Sequence, residues 1–345
     1  MEPNQKEMKA MQGLSVFAMV CLHLFCRYDY AGLYSPLISL LGYPLCFYLG
    51  QAADFCVTGF AFCSGYALAT QLSRPVTLSE YYSKRITSLI CLICRFHVIL
   101  IVFSIVSFLS GNQSNIPGSP LAFLGNYLLY NLSYNGAWWY LLTYILIVLT
   151  SYPIIRWMLT HKTLPAIPLW CALYFISYLL RFDYPSDFWP IRQGYLYGMT
   201  LAQFAIGVYF FKHQLFTKLS ALISHLPLKR PLLIFSVVVT ILLRTHFLPT
   251  LFVAPFSGIL FLFVFHFFYQ ENLLYRFFAY LGKHSTNIWL THMFFYLYIF
   301  KDLVFVFRWP ILILAFMLAL TLVVSKILMV IQEPLCRLIR TNLFK

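Results

Sequence analysis

The stretch Met8–Phe25, MKAMQGLSVFAMVCLHLF, carries reactive groups at a fixed spacing. Lys6 and Lys9 stand at one end and a single histidine, His23, lies deep inside. On a helix, His23 sits about 21 Å along the axis from Lys9, past the middle of a hydrocarbon core about 30 Å thick. Histidine changes charge near neutral pH. An ionisable ring at that depth marks a functional site, or else it hydrogen-bonds a neighbouring helix as a neutral group; the sequence leaves both readings open. Arg95 and His97, in LICRFHVIL, are further polar groups within an apolar run. Arg95 lies ten residues past Arg85, about 15 Å on a helix, close to the depth of His23. A permanent charge there costs several kcal/mol unless it is paired or hydrated. Asp54, in QAADFCVTGF, is the partner expected from depth, in the outer half of the second span. His266 and His292 complete the set, each read by itself as a structural histidine.

These residues need long apolar elements to hold them, and the chain is rich in such elements. It has 345 residues, 61% hydrophobic and only 10% charged, a balance that no soluble domain of this size can hide. The expected fold is therefore all-α, a polytopic membrane bundle forming a single domain over residues 1–345. Spans are expected near 8–27, 47–71, 87–110, 138–158, 164–182, 192–212, 231–247, 249–270, 282–300 and 309–332, about ten in all. The first span is read as retained rather than as a cleaved signal, because no small-residue cleavage site follows it. Ten spans place both termini on one side. Of the 24 Lys and Arg, 17 fall on that side, six on the other, and Arg95 within the third span. The positive-inside rule then makes both termini cytoplasmic. The net charge of +14 is thus topological. Scattered along one membrane face, it excludes nucleic-acid binding, although it can meet lipid heads or a phosphorylated cytosolic ligand.

The nine cysteines mostly sit inside apolar runs as small hydrophobes. Cys91 and Cys94 form one lone CxxC, and no metal site is expected. Sequons at Asn112 and Asn131 are weak three-residue matches. The long connection Gly111–Ala137 is rich in Gly, Asn and Pro. Its middle, Leu121–Leu132, is apolar but too short to span, which suggests a re-entrant or interfacial segment. Aromatics near span ends suit an interfacial belt. Trp138 and Trp139 fall on the outer side, where they anchor the helix or stack on a sugar.

Four segments together resemble the membrane acyltransferase-3 family of bacterial O-acyltransferases, and with GAWWYLLTYILIVLTSYPII the resemblance covers nearly the whole chain. KAMQGLSVFAMVCLHLF is similar to the family's opening helix, where a basic residue precedes an intramembrane histidine by eleven positions. FAFCSGYALA resembles an FF-x-x-SG-aromatic signature, here Phe60, Phe62, Ser64, Gly65 and Tyr66. YYSKRITSL matches a basic helix start at Lys84 and Arg85. LGKHSTNIWLTHMFF matches a late G-x-x-S-x-x-I-x-x-x-H pattern, here Gly282, Ser285, Ile288 and His292.

The resemblance implies acyl transfer, usually of acetyl, from cytosolic acyl-CoA to a hydroxyl of a surface polysaccharide or its lipid-linked precursor, in the inner membrane of a bacterial cell. Acyl-CoA is then a co-substrate and no cofactor is bound. His23 is the implied general base, or the carrier in an acyl-histidine relay. His292 orients the acceptor or supports His23. Lys9, Gln12, Ser64, Lys84 and Arg85 would bind the donor, with a Ser64-Gly65 turn letting the backbone approach closely or simply packing helices. Arg95, Asp54 and His97 give intramembrane polar support, and Trp138 and Trp139 meet the acceptor. Three positions depart from the pattern. Gln12 stands where the family usually has Arg, with Lys9 one turn earlier to supply the charge. Ser88 replaces an arginine, and Tyr144 stands near the place of a glutamate. The competing readings are a flippase for a lipid-linked saccharide, which would need no acyl-CoA, and a non-catalytic assembly partner, which would tolerate loss of His23.

Overall fold

A computed structural model describes residues 1–27, 32–163, 166–183, 188–247 and 251–342. Residues 164–165 and 249–250, which open two expected spans, and Lys345, one of the inward-side cations, lie outside them. The chain is an all-α membrane protein. Five stretches (Gln5–Phe25, Leu45–Leu72, Leu78–Leu109, Gly136–Thr160 and Pro310–Asn342) are each long and apolar enough to cross a bilayer. A pair of helices bent by 116° makes a sixth if it is counted as one span. Length and apolarity thus single out five or six of the ten expected spans among the described residues.

The chain divides into two compact units. The first comprises 1–32, 36–75 and 153–285. Helix α1 is Gln5–Phe25, started by Asn4, whose side chain accepts the N–H of Glu7. A two-residue antiparallel pair, β1 (Ser39–Leu40) and β2 (Tyr43–Pro44), precedes α2 (Leu45–Ala52). A 3-10 turn over Ala53–Phe55 joins α2 to α3 (Cys56–Leu72). Then come α7 (Ile167–Asp183), α8 (Trp189–His213), α9 (Leu215–Ser224), α10 (Lys229–His246), α11 (Ala254–Phe267) and the first part of α12 (Leu273–Met293). Between α9 and α10 the chain turns through 116°.

Small residues set the closest approaches in this unit. A Cβ on Gly65 would overlap the carbonyl of Phe204, and one on Gly207 the carbonyl of Phe62, so α3 and α8 meet backbone to backbone. The same occurs where α1 meets α12: a Cβ on Gly13 would overlap the carbonyl of Phe278, and one on Gly282 that of Lys9. In lipid no hydrophobic force drives helices together, and such contacts supply dispersion in its place. The unit also holds a core that includes Met11, Phe62, Tyr66, Phe210, Phe216 and Phe263.

The second unit comprises 33–35, 76–152 and 286–345. Its α4, Leu78–Leu109, begins nine residues before the expected span because Thr77 and Glu80 form a capping box. Also here are α5 (Pro120–Tyr127), most of α6 (Trp139–Thr160), the end of α12, α13 (Lys301–Phe305) and α14 (Pro310–Asn342). After Met293 the α12 backbone continues as a π-helix over Phe294–Ile299. The apolar middle of the long connection forms α5, which returns along α4. Pro117 and Pro120 lie by Phe108 and Leu109, and the ring of Tyr127 stacks on His97 with centroids 4.0 Å apart. His97 is twelve residues before the end of α4, about 18 Å, and the segment from Pro117 through the eight-residue α5 runs back over that stretch.

Candidate active site

Helix α1 runs from Gln5 to Phe25 without a break. Eleven residues advance a helix by just over three turns, so Gln12 and His23 share a face about 16 Å apart. Lys9 adjoins that face, and its Nζ donates to Gln12 Oε1 at 2.9 Å. The ammonium that the sequence offers in place of a missing arginine is therefore bound to the residue occupying the arginine's position. His23, in the last turn of α1, is half-buried.

Beside Lys9 opens a cavity of about 560 Å³. Lys6, Lys9, Arg276, Lys283, Glu271 and Tyr269 are among the residues that line it. Lys6 Nζ and Glu271 Oε1 form an exposed ion pair at 3.3 Å. Sequence reasoning missed Arg276 and Lys283 as a pair. The signal was present: seven residues are nearly two turns, so both project from one stripe of α12.

The expected pairing of Asp54 with Arg95 does not form. Asp54 sits at the α2–α3 break and is paired with Arg244 of α10, both buried. Arg95 pairs with Glu333 of α14 at 2.6 Å. The reason is local packing: α4 and α14 lie side by side, with Cys91 and Cys336 each within 3.8 Å of the other's carbonyl, and Glu333 is one turn away on the same contact. A charge inside a bundle takes the nearest opposite charge rather than one matched only in depth. His97 Nε2 lies 3.2 Å from the carbonyl of Tyr127, which ties α4 to α5. His266 Nδ1 lies 2.5 Å from Glu7 Oε1, a buried pair that joins α11 to the first turn of α1.

Ser64 and Gly65 are not a turn. They lie inside α3, where Ser64 donates to the carbonyl of Phe60 at 2.8 Å and Gly65 packs on α8. The remaining donor positions, Lys84 and Arg85, belong to the second unit. Lys84 is exposed, and the guanidinium of Arg85 lies 5.8 Å from the ring centre of Tyr81.

Trp138 cannot stack on a sugar. Its ring is fully buried, edge-on to Phe96 and Phe294, and its indole N–H donates to the carbonyl of Leu290 at 3.0 Å. Asn135 donates to the same carbonyl, and Trp289 donates back to the carbonyl of Ala137. The polar backbone around Asn135–Trp138 is satisfied by α12, which draws Trp138 inward and leaves half-buried Trp139 as the ring with exposed area. These bonds frame His292. Its Nδ1 lies 2.8 Å from the carbonyl of Trp289; a carbonyl only accepts, so Nδ1 carries a proton. His292 is fully buried, directly before the π-helical turn.

Residues 5–330 match the model of a family described as an acyltransferase domain, Acyl_transf_3. The chain belongs to the acyltransferase-3 family. No curated protein and no solved structure matches it. As a member of this family it is a membrane acyltransferase.

Proposed function

We propose that this acyltransferase moves an acyl group, most simply acetyl, from cytosolic acyl-CoA to a hydroxyl of a cell-surface polysaccharide or its lipid-linked precursor. It would act from the inner membrane of a bacterial cell, with ten spans and both termini cytoplasmic. The five or six span-length helices, the shorter apolar helices among the described residues and the charge distribution support that topology. One observation carries the reaction: His23 and Gln12 lie about 16 Å apart on one face of an unbroken helix, with Lys9 bonded to Gln12. The pantetheine arm of CoA has roughly 13 bonds between phosphate and sulfur, about 15 Å at the rise of an extended chain. A phosphate held at Lys9 and Gln12 therefore places the thioester beside His23.

In this reading His23 takes the proton as the acceptor oxygen attacks the thioester carbonyl. The C–O bond forms, the C–S bond breaks, and the imidazolium returns the proton to the departing CoA thiolate. Lys84 and Arg85 add positive charge on the cytosolic side. Ser64 contributes through the α3 frame, Asp54, Arg95 and His97 hold the intramembrane framework, His292 supports the local structure, and Trp139 meets the acceptor. The test is direct. Purified protein in lipid, given acetyl-labelled acetyl-CoA and a bacterial glycan extract, should move label into the glycan with release of free CoA. Uptake or flipping of a lipid-linked saccharide without acyl-CoA, and no labelled ester, would overturn the reading.

A further inference from the structure

The cavity beside Lys9 is built to collect positive charge. Lys9 and Lys283 are brought together by the α1–α12 crossing, because the carbonyl of Lys9 meets the backbone of Gly282, the residue before Lys283. Arg276 lies two turns before Lys283 on α12, and Lys6 lies nearly one turn before Lys9 on α1. The contacts of Lys6 with Glu271 and of Gly13 with Gly282 make the two helices run in the same direction. The cations therefore form two levels. Lys9 and Lys283 lie at the crossing, and Lys6 and Arg276 lie further from His23. Four cations against one acid, Glu271, repel one another unless an anion fills the space. All four charged groups are exposed enough to meet a solute without a buried charge being stranded.

We propose that the outer level, Arg276 with Lys6, is the subsite for the 3′-phosphate of the CoA nucleotide, and that the inner level, Lys9 with Lys283, holds the pyrophosphate. The assignment rests on the acyl-CoA reading above. It follows from order along the helices: the phosphate nearest the pantetheine must lie nearest Gln12, and the nucleotide must extend away from His23. Arg276 brings the planar fork suited to a terminal phosphate.

The experiment compares CoA with 3′-dephospho-CoA by calorimetry on protein in phosphatidylcholine nanodiscs. Wild type should bind CoA at least about tenfold tighter, the scale of charge-assisted hydrogen bonds lost with one phosphate. Arg276→Gln should bring CoA to the level of the dephospho compound. Lys283→Gln should weaken both alike, and unfolding temperatures verify that these surface variants are intact. A preference that survives in Arg276→Gln overturns the subsite and leaves the acyl-CoA reading standing. Wild type that binds neither compound overturns both. Discs containing phosphatidylglycerol that block CoA in wild type but not in Arg276→Gln would make the cavity a lipid-headgroup site instead.

Discussion

The His23→Ala variant should lose acyl transfer by about 10²–10⁴-fold, the contribution of a positioned general base, while still binding CoA. The separation of the two effects is the informative part. Lys9, Gln12 and the cavity lie at the other end of α1, about 16–21 Å from His23, so removing the imidazole leaves donor capture alone. His23→Gln is the companion variant, because it retains volume and hydrogen bonding without a base near neutral pH. If both variants fold and both lose transfer, the proton-taking role stands. Label that still reaches the glycan in His23→Ala would keep the enzyme and remove His23 from the base position.

The second large effect concerns a residue with no side chain. Gly282→Ala should lower the unfolding temperature and suppress activity, because its methyl group would occupy the place of the Lys9 carbonyl oxygen. Overpacking typically costs about 1–3 kcal/mol when side chains can yield. Here the obstacle is backbone, so the helices themselves must part. Gly13→Ala should behave alike, since its methyl would meet the carbonyl of Phe278. Gly194→Ala is the contrast: nothing lies within 4 Å of a Cβ there, and a helical Gly→Ala change is favourable by up to about 1 kcal/mol. Equal unfolding temperatures for Gly282→Ala and Gly194→Ala would show that the crossing tolerates separation.

The placement of residues along one helix was legible in the sequence. Lys9, Gln12 and His23 lie on one unbroken segment, and helical periodicity alone puts Gln12 and His23 on one face. The helices also follow their apolar runs, apart from capping at Thr77 and the bend between α9 and α10. Pairings across helices were not legible. Asp54 meets Arg244 and Arg95 meets Glu333 at separations of 190 and 238 residues, and depth in a membrane does not say which helices are neighbours. Trp138 was misplaced for the same reason, since the α12 carbonyl that draws it inward is remote in sequence. Gly282 was visible as part of a pattern, but its purpose needed Gly13, which no motif marked.

Lys9 belongs to two structures at once. Its carbonyl is part of the glycine crossing, a neutral contact of backbone with backbone, and its ammonium is part of the charged cavity. Ionic strength acts on only one of these. Between 0.1 and 1 M salt the reach of an exposed charge shrinks from about 10 Å to about 3 Å, whereas dispersion between two helix backbones is unchanged. High salt should therefore raise KM for the donor while kcat and the unfolding temperature hold steady, so the grip on the donor can be loosened without loosening the frame.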